Sequence, residues 1–322
     1  EIEARPISIT KRHFPDMLHL GDITKISGAE IPPVDVITFG SPCQDLSQIG
    51  TRNGFAGKKS SLFYQAMRII EEMRYATNGR YPAFCIWENV AGAFSSNDRL
   101  DFAAMLSAFT GAEVSVPPRG WAHAGMVRGG RADTAWRLLD AQYWGEPALV
   151  QRRKRVFVVA DFAGQRAGEV LFKPRTVLPF SAIGSPGGLS ATQRGGVPAA
   201  QTGRQVPIVR PFSLRRMRTM AQVGDQKGFC ASFGRGGEPF PTLLASVTAP
   251  FSFWYEGEEQ DGFLRVLTPL ECERLMGLPE NWTKYGCKDE EISDHARYRA
   301  LGNSIALPCA EYVMAGIAEV MN

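Results

Sequence analysis

The chain has 322 residues, of which 44% are hydrophobic and 21% charged, and its net charge is +3. This composition is typical of a globular protein with one large domain or two smaller ones, and the charge is too small to indicate a nucleic-acid partner by itself. The apolar runs are shorter than the ~20 residues of a membrane span, and the six cysteines include no Cys-x-x-Cys pair. We therefore expect no membrane segment, no disulfide framework, no metal site and a reducing, cytoplasmic setting.

Strands and helices alternate in the first half of the chain. Apolar runs predict strands at 35–39, 82–87 and 155–160. Apolar residues at helical spacing predict one helix from 61 to 73 and another over 100–109. The segment 136–139 is interpreted as a short helix leading into a strand near Tyr143. Such alternation indicates an α/β fold with a mostly parallel sheet.

The composition changes after Phe162. Residues 164–263 are rich in Gly, Pro, Ser and Thr and predict a second, smaller, irregular β-rich domain, which divides a first domain made of 1–163 and 264–322. Basic residues predominate between 166 and 235, which would suit contact with phosphates or an ordinary solvated face. Thr268, Pro269 and Glu271 form a capping-box pattern that predicts the start of a helix. A last helix is expected to start near Asn303.

Reactive side chains stand at the ends of the three predicted strands. Cys43 follows the first, Glu88 follows the second, and Arg153 and Arg155 enter the third. In open α/β sheets, chemistry is carried out just beyond the carboxyl ends of strands. Alone, Cys43 would be read as a buried structural cysteine and Arg155 as a salt-bridge residue. Together they indicate a reaction site that is neither a metal site nor a thiol protease, because no histidine is placed to activate the thiol.

Five motifs, in this order, resemble those of the DNA cytosine-5 methyltransferases. They are Ser41-Pro42-Cys43-Gln44, Glu88-Asn89-Val90, the segment 151–155, the segment 265–279, and Gly302-Asn303-Ser304. The resemblance covers nearly the whole chain. It implies a doubly wound, Rossmann-like methyltransferase sheet, S-adenosylmethionine as cofactor and double-stranded DNA as substrate. It also implies that residues 164–263 are a target recognition domain.

The resemblance implies a role for each reactive side chain. The Cys43 thiolate would add to carbon 6 of cytosine, so that carbon 5 can attack the methyl group of S-adenosylmethionine. Glu88 would donate a proton toward N3 of the base. Arg153 or Arg155 would hold the base oxygen and orient Glu88. The target carbon is hidden in stacked duplex, so the base would be flipped out.

The same resemblance implies the residues that bind cofactor and DNA. The expected cofactor-binding residues are Glu1, Ile2, Asp22, Ile23, Leu62, Asn303 and Ser304. The expected DNA-binding residues are Gln44, Ser47, Gln48, Ile49, Arg235 and Thr242. We expect a prokaryotic or phage protein of the nucleoid, acting as a monomer on DNA, either within a restriction-modification system or alone.

One departure from the family concerns the cofactor. The family's Phe-x-Gly-x-Gly loop is absent, and we expect it to precede Glu1; residues 233–237 are interpreted as a recognition loop instead. Two alternatives stay open: an RNA cytosine-5 methyltransferase and a catalytically silent DNA-binding relative. A chain that truly begins at Glu1 is expected to bind S-adenosylmethionine poorly.

Overall fold

The structure is a computed structural model. It describes residues 1–41, 62–173, 240, 242–243 and 266–322 in full, and the backbone of 208–212, 252–256 and 263–265. Cys43, Gln44, Ser47, Gln48, Ile49 and Arg235 lie outside the described residues.

A five-stranded sheet forms the centre of the described fold, in the order β1-β2-β5-β4-β3. Its strands are β1 (Val36–Phe39), β2 (Phe84–Val90), β3 (Ala124–Arg128), β4 (Asp133–Asp140) and β5 (Lys154–Asp161). The predicted strands at 35–39, 82–87 and 155–160 are confirmed as β1, β2 and β5. The interior residues of β2 and β5 are buried on both faces, as a strand in the middle of a covered sheet requires.

The expectation of a mostly parallel sheet is wrong for these strands. Within the described sheet β1 and β2 pair in parallel, while β2–β5, β5–β4 and β4–β3 are antiparallel. The connections explain the β3–β4 and β4–β5 pairs: β3 and β4 are joined by four residues, 129–132, and no α-helix lies between β4 and β5. Parallel neighbours need a crossover, usually helical, so such links give antiparallel pairs.

Helices cover both faces of the sheet. The helices of the described residues are α1 (Ala4–His13), α2 (Leu62–Ala76), α3 (Leu100–Thr110), α4 (Ala167–Leu171), α5 (Pro269–Met276), α6 (Asp294–Asn303) and α7 (Leu307–Met321), and four of them, α2, α3, α4 and α7, pack on the sheet. Buried residues of α2 and α3 pack with Trp87 and Val158 on one face. On the other face, α4 and α7 pack with Phe84 and Phe157. The helices predicted at 61–73 and 100–109 are confirmed as α2 and α3.

The C-terminal helices form a third cluster. Leu275 and Leu301, from α5 and α6, pack with Phe240 and Leu243. The predicted capping box is confirmed: the Thr268 hydroxyl accepts from the Glu271 amide, and the Glu271 carboxylate accepts from the Thr268 amide. The backbone of β6 (Ile208–Phe212), β7 (Ser252–Glu256) and β8 (Phe263–Val266) forms a separate three-stranded antiparallel sheet.

Three local predictions need correction. The segment 136–139 belongs to strand β4, where it pairs with β5, and Trp136 and Leu139 are buried on opposite faces of the sheet. Tyr143, near which the sequence predicts a strand, ends a short 3₁₀ turn, Ala141–Tyr143. Glu88 lies within β2, since pairing with β5 continues to Val90. Asn303 ends α6, and the last helix begins only at Leu307.

Two further features are the lengths of the apolar helices and the state of the cysteines. No single helix in the described part of the chain is long and apolar enough to cross a membrane, although α6 and α7 together, bent by 41°, would pass by length and composition. The four described cysteines are free thiols. Cys85, three residues before Glu88, is fully buried, and burial raises the pKa of its thiol.

Candidate active site

The best-defined reactive group is the carboxylate of Glu88. Glu88 Oε1 forms an ion pair with Arg155 Nε at 3.0 Å. The two residues come from neighbouring antiparallel strands, where Val90 lies opposite Arg155. A Cβ atom at Gly40 would lie 3.3 Å from Glu88 Oε2. The carboxylate therefore lies against the backbone at the end of β1, close to the segment that leads to Cys43.

The electrostatics of this pair favour a carboxyl that takes up protons readily. Burial raises the pKa of Glu88, and the charges of Arg155 and Arg153 oppose that shift without cancelling it. Burial also lowers the pKa of Arg155, against the effect of Glu88. A carboxyl with a raised pKa next to a fixed cation is suited to general-acid chemistry.

The end of β1 is fixed by side chains of β2. Asn89 Nδ2 donates to the Ser41 carbonyl at 2.6 Å, and Trp87 Nε1 donates to the Ser41 hydroxyl at 3.2 Å. Ser41, Asn89 and Trp87 are all buried. These bonds fix the last described residue before Pro42 and Cys43 relative to Glu88. Asn89 belongs to the Glu88-Asn89-Val90 motif, but nothing in the sequence indicated which group its amide would bind.

Arg153 has a different environment from Arg155. It is almost fully buried, and its guanidinium donates to the carbonyls of Leu243 at 3.1 Å, Gly302 at 3.0 Å and Ser304 at 2.6 Å. Burial, followed by the charge of Arg155, lowers the pKa of Arg153 to about 10. Its Nε atom has no partner among the described residues. Arg155 is therefore the arginine placed on Glu88, while Arg153 joins three chain segments.

Residues 240, 242 and 243 contact the chain just before the start of β5. The Arg152 amide donates to the Phe240 carbonyl, and the Phe240 amide donates to the Val150 carbonyl, both at 2.7 Å. The hydroxyl of Thr242, an expected DNA contact, donates to the Arg152 carbonyl at 2.6 Å. The buried Gln151 side chain donates to the Leu275 carbonyl at 3.3 Å. The 150–153 segment thus links the sheet, the described residues 240, 242 and 243, and α5.

The expected cofactor residues of the N-terminal part lie together. The amino group of Glu1 lies 3.4 Å from the Gly21 carbonyl. The Glu1 carboxylate accepts from the amides of Ile2 and Glu3. Asp22 caps the short helix Ile23–Lys25 by accepting from the Thr24 amide and hydroxyl. The hydrogen bonds from Thr24 lower the pKa of the Asp22 carboxyl.

The other expected cofactor residues lie at helix ends. Leu62 is the first residue of α2 and is exposed, Asn303 is the exposed last residue of α6, and Ser304 follows it. The Ser304 carbonyl accepts from Arg153, which ties this motif to the start of β5. In the described residues no group of His, Cys, Asp and Glu side chains is arranged to hold a metal ion.

A comparison with protein families identifies the chain. The family model described as C-5 cytosine-specific DNA methylase matches residues 1–173 and 211–319. The chain belongs to the C-5 cytosine-specific DNA methylase family. This match leaves out residues 174–210, which fall within the predicted recognition region.

The sequence relatives include proteins of bacteria and of a phage. A "DNA N-6-adenine-methyltransferase" of Escherichia phage P1 is 23% identical over 97% of the chain, and "Type II methyltransferase M.BsuFI" of Bacillus subtilis is 26% identical over 93%. The chain spans 57% of the first relative and 61% of the second. A solved "putative DNA modification methyltransferase" encoded within an E. coli prophage shares the fold, with a TM-score of 0.55 at 17% identity over all of the chain and 91% of that protein. The predicted methyltransferase fold of α/β class is confirmed.

Proposed function

We propose that this chain transfers a methyl group from S-adenosylmethionine to carbon 5 of a flipped-out cytosine in duplex DNA. The observation that carries the proposal is the Glu88–Arg155 ion pair at 3.0 Å, placed against the end of β1. That strand leads directly into Pro42 and Cys43. Membership of the cytosine-5 methylase family supports the same reaction.

The residues expected around the cofactor fit S-adenosylmethionine in chemistry. Glu1 and Asp22 offer carboxylates for ribose hydroxyls and adenine donors, and their segments lie side by side, since the Glu1 amino group is 3.4 Å from the Gly21 carbonyl. Ile2 and Ile23 offer apolar side chains for the adenine faces, and Ile2 is 73% exposed. Leu62, Asn303 and Ser304 complete the proposed set. When bound, the cofactor supplies an electrophilic methyl group.

The protein's own groups account for activation of the base. The Cys43 thiolate forms a bond to carbon 6, and the electron pair of the carbon 5–carbon 6 double bond becomes available at carbon 5. Glu88 donates a proton to N3, which neutralises the charge that the addition would otherwise leave on the ring. Arg155 holds Glu88 in place and offers donors to the base oxygen. After carbon 5 is methylated it loses its proton to a base, and the sulfur–carbon bond breaks to regenerate the thiolate. N3 returns its proton to Glu88, so that the neutral base leaves and the carboxyl is ready for another turnover.

Recognition of DNA is assigned to two regions. Gln44, Ser47, Gln48 and Ile49 follow Cys43 and are proposed to contact the flipped nucleotide and the space it leaves. Within the predicted range 164–263, the part that follows α4, with Arg235 and Thr242, is proposed as the target recognition domain, because reading a groove needs added protein surface. Helix α4 itself packs on the central sheet. We infer a monomer on DNA in a prokaryotic or phage-infected cytoplasm, associated with the nucleoid.

The phage P1 relative carries a name that specifies adenine, which gives a second candidate product. Transfer to an exocyclic nitrogen needs no thiol, because that nitrogen is itself the nucleophile. The Ser41-Pro42-Cys43 motif, which follows Gly40 in the sequence, therefore favours cytosine, since Gly40 lies against the Glu88 carboxylate. RNA methylation and a silent DNA-binding protein are the remaining alternatives.

The test is to incubate the chain with labelled S-adenosylmethionine and either duplex DNA or RNA, and to analyse the nucleosides by mass spectrometry. We expect 5-methylcytosine from duplex DNA only. N6-methyladenine, label in RNA alone, or DNA binding without any product would each refute the proposal. A duplex with 5-fluorocytosine at the target should also trap a covalent adduct on the Cys43 peptide, because fluorine cannot leave as a proton does.

A further inference from the structure

The segment 22–28, which carries the proposed adenine contacts, has little regular secondary structure and little burial to stabilise it. Its only helical structure is the three-residue turn Ile23–Lys25, capped by Asp22. Its side chains are half-buried or exposed as far as Ser27. A binding segment of this kind needs neighbouring groups to hold its shape before the ligand arrives.

Helix α2 provides those groups through Arg68. Arg68 Nη2 donates to the Ile23 carbonyl at 3.0 Å, and Nη1 donates to the Ile26 carbonyl at 2.9 Å. Arg68 Nε donates to Gln65 Oε1 at 3.0 Å, which fixes the plane of the guanidinium. Both carbonyls are neutral, so the arginine acts on the segment through the geometry of its donors and not through ion pairing.

Glu72 holds the other end of the same segment. Glu72 Oε2 accepts from the Gly28 amide at 2.7 Å, and Glu72 Oε1 accepts from Arg68 Nη1 at 2.8 Å. Burial acts to raise the pKa of Glu72, but the hydrogen bonds from Arg68 and Gly28 outweigh it and lower the pKa. A Cβ atom at Gly28 would lie 2.2 Å from the Ile69 carbonyl oxygen, so the segment runs directly along α2.

We propose that Arg68 and Glu72 are positioning residues for cofactor binding, which hold Ile23, Ile26 and Gly28 along α2. The inference rests on the proposed function, because it takes Asp22 and Ile23 as cofactor contacts. Helix α2 also begins with Leu62, another proposed contact, so one rigid element would align two parts of the cofactor site. Neither residue touches the cofactor in this account.

The test is a calorimetric titration of the full chain with S-adenosylmethionine. Arg68→Met removes both carbonyl contacts, each a charged hydrogen bond, and should raise Kd by about tenfold. Arg68→Lys should weaken binding similarly, because one ammonium cannot reproduce the planar fork. Steady-state kinetics should show a higher KM for S-adenosylmethionine with kcat recovered at saturation.

The matched control is Glu71→Gln. Glu71 lies next to Glu72 on α2 and pairs at 2.9 Å with Arg131, which belongs to the connection between β3 and β4. It should leave Kd within about twofold of the unaltered chain. If Arg68→Met does not fold, Glu72→Gln decides, with an expected loss of about threefold.

Each outcome separates the two claims. A Kd within about twofold in both Arg68→Met and Glu72→Gln, or an equal loss in Glu71→Gln, overturns the positioning role and leaves the proposed function standing. Failure of the unaltered chain to bind S-adenosylmethionine overturns the proposed cofactor site and the positioning role with it.

Discussion

The replacement Glu88→Gln tests the centre of the proposed chemistry. Glutamine keeps the shape of the side chain and an oxygen that can accept from Arg155 Nε, now 3.0 Å from the carboxylate. It cannot transfer a proton to N3. The loss of a positioned general acid should slow methyl transfer by ~10²-fold or more, equivalent to ~2.7 kcal/mol in the activation barrier.

The assay is a single-turnover measurement with saturating enzyme, DNA and labelled S-adenosylmethionine, quenched over a time course. DNA affinity should stay unchanged in the same variant, because the glutamine oxygen can still accept the hydrogen bond from Arg155 Nε. Glu280→Gln is the control, since Glu280 is a surface carboxylate paired with Arg274. An unchanged rate constant together with weaker DNA binding would refute the acid role and make Glu88 a residue that only positions the base.

The pH dependence gives a second measurement on the same residue. Burial raises the pKa of Glu88 above its ordinary value of 4.5, against the opposing charges of Arg155 and Arg153. The chemical step needs the protonated carboxyl, so its rate should fall as pH rises through the folded-state pKa, and Glu88→Gln should lack that fall. A raised pKa also means that the contribution of Glu88 to folding stability is present below pH 4.5 and is lost as pH rises through the folded-state value. An identical pH–rate profile in both proteins would contradict this reasoning.

Three further replacements test other parts of the account. Cys43→Ser should abolish methyl transfer while gel-shift affinity for DNA is kept, and normal turnover would exclude Cys43 as the nucleophile. Glu273→Gln should lower the free energy of unfolding by ~3 kcal/mol, because it removes the buried carboxylate 3.1 Å from the buried Arg297 and leaves that arginine the exposed Asp294, 3.5 Å away, as its ionic partner; urea unfolding showing less than about 1 kcal/mol would contradict this. Thr268→Ala should cost ~1 kcal/mol in the same assay through loss of the cap of α5, and an unchanged midpoint would show that the cap contributes nothing measurable.

The sequence determined those features that depend on local interactions. The strands β1, β2 and β5 follow from apolar runs of strand length, and α2 follows from its helical spacing, because burial on one or both faces leaves a pattern in the chain itself. The capping box at Thr268 and Glu271 is likewise a contact between residues three apart. The order of the motifs also predicts that a thiol, a carboxylate and arginines meet at one region of the sheet; of these, Glu88 and Arg155 are in contact in the described residues.

Other features were decided only by tertiary structure, because they depend on which distant segments meet. The direction of a strand depends on its pairing partners, so the sequence near β5 did not indicate that β5 runs antiparallel to β2. The local pattern also did not identify 136–139 as part of a strand, which pairing with β5 decides. Only the tertiary structure decides which arginine pairs with Glu88. The β2–β5 register brings Arg155 to Glu88, whereas Arg153 donates to the carbonyls of Leu243, Gly302 and Ser304. The hydrogen bonds from Asn89 to Ser41 and from Arg68 to Ile23 were likewise decided by tertiary structure, since each joins residues more than 40 positions apart.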